Sequence, residues 1–299
     1  MQEKAVSSVA LIGTGAMGSR MATRLLQAGF SLTVWNRTAA RAEPLVALGA
    51  RLASSPSEAA QQAAFVLVMV EGDEASHAVW SGPDGIGAGL SAETIAVECS
   101  TLSVGRIEAL AEEVARKSWR FVEAPVSGSL PQAEAGMLAF FAGGDFYDVN
   151  EVTPLLRSIG RVVHHVGTPP VATKVKLAVN GMLACQVAST AETLGFFARA
   201  GLPLHTIRAL LEDTPVMSPI VAATTRQIAA GDYAPLFPIS LVLKDLGYLA
   251  AVAEAANAPS PLAQTTRNVF EEADTWRSEN ISAVAKLFAA YLPERIPSL

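Results

Sequence analysis

Two polar residues interrupt an otherwise apolar stretch, Val175-Lys176-Leu-Ala-Val-Asn180. Four positions apart, Lys176 and Asn180 share one face if the stretch is helical. Lys174, two positions away and about 200° round, points elsewhere. A lysine ammonium beside a carbonyl can stabilise negative charge on the oxygen and deliver a proton, and the neutral amine can take one back. A free lysine titrates near about 10.4, so the base role needs desolvation or a cationic neighbour. The alternative is structural: a single lysine on an apolar helix that snorkels its head to water.

A second constellation opens the chain, Val9-Ala-Leu-Ile-Gly13-Thr14-Gly15-Ala16-Met17-Gly18. It reads as a strand running straight into G-x-G-x-x-G. The first glycine permits the tight turn and the second lets backbone approach a pyrophosphate. The third lets the following helix pack on the sheet with its amides aimed at the phosphates. Such a motif alone is weak, but here a second strand follows at the expected distance. Its end, Thr33-Val-Trp-Asn36-Arg37-Thr38, puts an uncharged Asn36 where NAD-specific folds hold an acid for the ribose hydroxyl. Arg37, with Thr38 and Arg41, can pair with a 2′-phosphate, which favours NADP over NAD. A solvated surface charge is the alternative for Arg37.

These residues need a scaffold of two kinds. The first half alternates apolar runs with amphipathic stretches, the pattern of a βαβ sheet. Strands are predicted at 8–12, 31–35, 65–70, 94–98, 120–123 and 139–142, with helices between them such as 19–28 and 104–117. Beyond Gly167 the strand signal stops. Thr168-Pro169-Pro170 starts a helix of about 30 residues that runs to Gly201-Leu202-Pro203. Helical segments follow at 204–211, 220–230, 241–256, 260–273 and 281–292. The predicted fold is an α/β Rossmann domain, 1–167, then an all-α domain, 168–299, joined by the long interdomain helix. Apolar surface on that helix and those after it predicts a homodimer or homotetramer.

Composition excludes several classes. Of the 299 residues 51% are hydrophobic and 17% charged, and the net charge of −6 comes without a basic stripe, which argues against nucleic acid. Cys99 and Cys185 make no disulfide framework, and His77, His164, His165 and His205 have no metal-ligand spacing, so no metal is expected. The N-terminal Met1-Gln-Glu-Lys-Ala-Val lacks a signal-peptide layout and no apolar run reaches spanning length, so a cytoplasmic protein without membrane association is expected.

Five motifs in order, Gly13–Gly18, Glu98-Cys-Ser-Thr101, Glu123-Ala-Pro-Val-Ser127-Gly128-Ser129, Lys176-x-x-x-Asn180 and Lys244-Asp245-Leu246, make the chain resemble the β-hydroxyacid dehydrogenase family nearly end to end. Around Glu123 and Val175 the wording is similar to its glyoxylate/succinic semialdehyde reductase branch. The resemblance implies hydride transfer between NADPH and a small carboxylate-bearing hydroxyacid or aldehyde, with Lys176 as acid and base. It implies that Thr101 and the turn Met69-Val70-Glu71 line the cofactor, and that Ser127, Gly128 and Ser129 bind the substrate acid with Asn180. It also implies that Lys244 lies over the nicotinamide end, as a candidate cationic neighbour of Lys176, with Asp245 and Phe237 lining the cleft; the alternative for Lys244-Asp245 is a solvent-exposed charge pair at a helix start. Thr101 has a second reading, as the cap of the helix near Val104. Two departures stand out: Ser129 replaces a frequent glycine and Glu71 a frequent proline. An imine reductase shares the fold but usually carries aspartate or tyrosine at the Lys176 position. A catalytically dead NADPH-binding scaffold is the other alternative, and the retained Lys176, Asn180 and Ser127 argue against it.

Overall fold

The computed structural model describes residues 7–291, so the stretch read for a targeting signal lies outside the described residues. The described residues divide into two units between Lys176 and Leu177.

The first unit is built on nine strands: β1 (Ser8–Ile12), β2 (Ser31–Trp35), β3 (Arg51–Leu52), β4 (Phe65–Val68), β5 (Ile95–Glu98), β6 (Arg120–Glu123), β7 (Val126–Ser127), β8 (Leu138–Gly144) and β9 (Gly160–Gly167). Their order is β3-β2-β1-β4-β5-β6-β8-β7, with β9 paired to β8. The first six run parallel, β8 is antiparallel to β6 and β7, and β9 runs parallel to β8. The central strands are apolar runs because both faces are covered. Leu11, Leu67, Val97 and Val122 pack on one face with Met21, Leu25, Leu155 and Leu156. Ala10, Ile12, Val66, Val68 and Phe121 pack on the other with Trp80 and Leu110. Chain direction across the sheet reverses at β1, so the loops after β1 and β4 part and leave a crevice at their carboxyl ends.

Two glycines allow the turn at that crevice. Gly13 has φ +98°, and a Cβ there would overlap the Met69 carbonyl oxygen. A Cβ on Gly18 would overlap the Gly13 carbonyl oxygen, so the helix Ala16–Gln27 can lie this close only with glycine there. Gly15 is different: a Cβ would meet nothing within 4 Å.

The second unit is helical. The 29-residue helix Val171–Arg199 begins in the first unit and continues into it, followed by Leu204–Glu212, Pro219–Ala230, Ile239–Ala255 and Pro261–Glu272. Its core joins Val187, Leu194, Ile207, Val242, Leu246, Phe270 and Val284. No described helix is long and apolar enough to cross a membrane.

Three strands were not expected. β3 and β7 have two residues each, too short for periodicity to register. In β9, Arg161, His164 and His165 are exposed and break the apolar run, and its pairing to β8 supplies what the pattern lacks. The segment expected as a regular helix at 281–292 is a 3₁₀ helix, Ile281–Tyr291, which lines up Ile281, Val284 and Leu287 against the core.

The glycine contacts give a direct test. Gly18→Ala should lower Tm by about 5 °C or more, the scale of an overpacked backbone contact. Gly15→Ala should leave Tm within about 1 °C, and equal losses in thermal unfolding would contradict the assignment.

Candidate functional site

The helix Ala16–Gln27 begins without a side-chain cap and without an acidic residue in its first turn. Its first amides therefore point out of the turn without intrahelical partners and carry the positive end of the helix dipole. The Thr14 hydroxyl is buried without a hydrogen-bond partner. Asn36 Oδ1 accepts from the Thr14 N–H at 3.0 Å, and Asn36 Nδ2 donates to the Thr38 carbonyl at 2.9 Å. This carboxamide thus ties the glycine turn to the loop after β2. Arg37, Thr38 and Arg41 are exposed on that loop. Open space over Gly15, an uncapped helix start, the unpartnered Thr14 hydroxyl and a cationic loop together fit a dinucleotide pyrophosphate and its adenosine ribose.

The turns after β4 and β5 are fastened together. Met69 N–H donates to the Ile12 carbonyl and Val70 N–H to Ser100 Oγ, each at 2.9 Å. Ser100 is held by Glu98, whose carboxylate accepts from the Ser100 N–H at 3.1 Å, Trp80 Nε1 at 2.9 Å and Ser76 Oγ at 3.2 Å. Glu98 is fully buried, and desolvation pushes its carboxyl above the ordinary range despite these donors. Thr101 lies half-buried just beyond. Its capping role is taken by Ser103, whose hydroxyl accepts from the Arg106 N–H at 3.0 Å. Glu71 is exposed, so its carboxylate faces water.

After β6, Ser127 ends a two-residue strand against Ala139, and Gly128 turns the chain at φ +131°. Ser129 is engaged locally. Its N–H is taken by Gln132 Oε1 at 2.9 Å, so this amide is committed to the start of the helix Leu130–Glu134.

Lys176 is only 7% exposed and Asn180 6%, whereas Lys174 is exposed. The snorkelling alternative does not describe a lysine buried to this extent. In the helical unit Asn180 Nδ2 donates to Asp245 Oδ2 at 2.6 Å, and Lys244 Nζ pairs with Asp245 Oδ1 at 2.8 Å. Lys244 also stands 4.8 Å from the centre of the Tyr248 ring. Its charge is therefore offset, which weakens it as the neighbour expected to lower the proton affinity of another lysine. Phe237 packs on the helical core, and its N–H donates to Asn280 Oδ1 at 3.0 Å.

The crevice of the first unit thus gathers Gly13–Gly18, Asn36, Met69, Val70 and Thr101 at neighbouring strand ends, with Arg37 and Thr38 at its rim. The second unit gathers Asn180, Lys244 and Asp245, and the Phe237 backbone is tied to Asn280. Sequence reasoning missed several of these contacts. Tyr248 was available from its four-residue spacing to Lys244, whereas the distant partners of Glu98 and Asn280, such as Trp80 and Phe237, had no local signal.

Two family models cover the chain: the NAD binding domain of 6-phosphogluconate dehydrogenase matches residues 8–167, and the NAD-binding domain of NADP-dependent 3-hydroxyisobutyrate dehydrogenase matches residues 171–288. The chain belongs to the β-hydroxyacid dehydrogenase family. As a member it is a nicotinamide-dependent oxidoreductase of the dehydrogenase and reductase class that acts on hydroxyl groups. It is 30% identical to 3-sulfolactaldehyde reductase of Escherichia coli, over 90% of either chain. It is 29% identical to the chloroplastic glyoxylate/succinic semialdehyde reductase 2 of Arabidopsis thaliana, over 95% of this chain and 80% of that one. The solved 3-hydroxyisobutyrate dehydrogenase of Salmonella typhimurium superposes with a TM-score of 0.86 at 27% identity, over 94% of this chain and 99% of that one.

The buried Glu98 of this β-hydroxyacid dehydrogenase makes a prediction about pH. A carboxyl raised by folding favours the folded state below its unfolded pKa, and that stability is lost as pH rises through the folded value. Glu98→Gln removes the loss, so its Tm relative to the parent should climb between pH 5 and pH 7. A difference that stays flat across that range would contradict the burial argument.

Proposed function

We propose that the protein is an NADPH-preferring oxidoreductase that interconverts a small β-hydroxyacid and its aldehyde or semialdehyde, with Lys176 moving the proton. The observation that carries this reading is a lysine almost wholly withdrawn from water, one helical turn before the buried Asn180. Burying an ammonium is costly unless neighbours stabilise it, and such positions concentrate at reacting centres. The relatives' names point the same way, since sulfolactaldehyde, glyoxylate or succinic semialdehyde, and 3-hydroxyisobutyrate are all small anions with an oxo or hydroxyl group.

The dihydronicotinamide, when bound, supplies the hydride that reduces the carbonyl carbon. In that direction the Lys176 ammonium donates its proton to the carbonyl oxygen, and in the reverse direction the neutral amine removes it. Asn180, anchored by Asp245, orients the reacting group. Ser127 and Gly128 hold the substrate carboxylate, and Ser129 contributes through its side chain because its amide is committed. Gly13–Gly18 receive the pyrophosphate, with Thr101, Met69 and Val70 beside the nucleotide, and Lys244 completes the cofactor contacts. The exposed Val179, Met182 and Phe196 on the long helix support an oligomer formed through the helical unit.

Lys176→Met keeps the length and apolar packing of the side chain. It should lower kcat for aldehyde reduction by at least ~10²-fold, the scale of a lost general acid, and leave NADPH affinity intact. Lys174→Ala removes the same charge from the exposed side and should stay near parental activity. Comparable kcat values in the two variants would overturn the mechanism.

Arg37→Ala tests the cofactor preference separately. Loss of a charge-assisted contact to the 2′-phosphate should weaken NADPH binding roughly ten- to hundred-fold. NADH binding should change little, and a fluorescence titration with equal losses for both nucleotides would rule the assignment out.

A further inference from the structure

Glu123 ends β6 with no exposed surface, and the family reading gives it no role. Its carboxylate accepts three hydrogen bonds, from Ala172 N–H at 2.9 Å, Thr173 N–H at 3.0 Å and Thr173 Oγ1 at 2.7 Å. All three donors belong to the first turn of the helix Val171–Arg199. Every orphan amide of that turn is accounted for: Val171 N–H donates to the Thr168 carbonyl, Lys174 N–H to the Pro170 carbonyl, and the two between them to Glu123. Opposite Glu123 on β8 lies Gly143, where a Cβ would come within 2.6 Å of Glu123 Oε1. Glycine on the neighbouring strand therefore leaves the carboxylate its room.

Helix geometry connects this clasp to Lys176. Ala172 and Thr173 precede Lys176 by four and three residues, the positions that share its face. Helical side chains tilt toward the N-terminus, so the stem of Lys176 lies over the turn that Glu123 holds. An anion here also offsets the positive end of the helix. Without it, the ammonium one turn away would face an uncompensated partial positive charge.

We infer that Glu123 is the positioning residue of Lys176, fixing the turn that carries the lysine and balancing the charge of the helix end beneath it. The inference takes its functional meaning from the proposed role of Lys176, so its test reads the lysine directly. The protein is reductively dimethylated with ¹³C-formaldehyde, and the Lys176 resonance is identified by its loss in Lys176→Arg. Its titration is then followed by NMR in the parent, Glu123→Gln and Glu123→Asp. Glu123→Gln removes the charge but keeps the shape, and the Lys176 midpoint should fall by about half a pH unit or more. In the same variant kcat should fall ~10-fold or more while NADPH affinity stays within about twofold. Glu123→Asp keeps the charge on a shorter stem and should shift the midpoint less, in the same direction. It carries the test if the glutamine variant does not fold. A Lys176 midpoint unmoved in the folded variant overturns the inference whatever the activity does. A shifted midpoint supports it even if Lys176→Met proves active, an outcome that would sink the catalytic reading alone.

Discussion

A carboxylate enclosed at the end of β6, and the helix start that encloses it, set the geometry on which the site rests. Removing Glu123 from water is unfavourable in itself, and burial pushes its carboxyl upward. Three donors from one turn of the Val171–Arg199 helix offset that cost, and the Lys174 charge adds to them. In return the helix gains a fixed origin on the sheet. The position of every residue on its first turns follows from that origin, Lys176 included.

The same device recurs one strand away. Glu98 stands in register with Glu123 at the end of β5 and is equally buried, but its donors are Trp80, Ser76 and Ser100. Through Ser100 it holds Val70 and so braces the turn after β4. Two neighbouring strand ends thus each bury an acceptor, one fastening the loops of the nucleotide crevice and the other the helix bearing the lysine. The crevice itself is mainly backbone: the Gly13 turn, the uncapped start of the Ala16–Gln27 helix and the Asn36 bridge between loops. Such a site can recognise phosphate without a dedicated cation, because oriented amides provide the positive end.

Much of this was readable along the chain because the features are local. The glycine spacing, the apolar runs of β1 and β4, and the common face of Lys176 and Asn180 each lie within about two helical turns or one strand. The length of the long helix was legible for the same reason, since prolines at 169 and 170 and glycine at 201 bracket it. What escaped depends on distant partners. Glu123 meets Ala172 across 49 residues, and Asn280 meets Phe237 across 43. For Lys244 the pattern offers two readings, a cationic neighbour of Lys176 or an exposed pair with Asp245; the pair forms, but its carboxylate is buried, which adjacency in sequence does not reveal. The commitment of the Ser129 amide was hidden for another reason: Gln132 looks like any surface glutamine until its backbone folds into a turn.

The central claim is hydride delivery to a small carboxylate-bearing carbonyl compound, and isotope transfer tests it most directly. The protein is incubated with NADPH carrying deuterium at nicotinamide C4, prepared separately in each stereochemical form, and with glyoxylate, succinic semialdehyde or a related small aldehyde acid. Mass spectrometry of the hydroxyacid product should show one deuterium on the carbinol carbon from one labelled form and none from the other. Oxidation of the cofactor with no label in any hydroxyacid product, or no oxidation across the whole panel, would contradict the account.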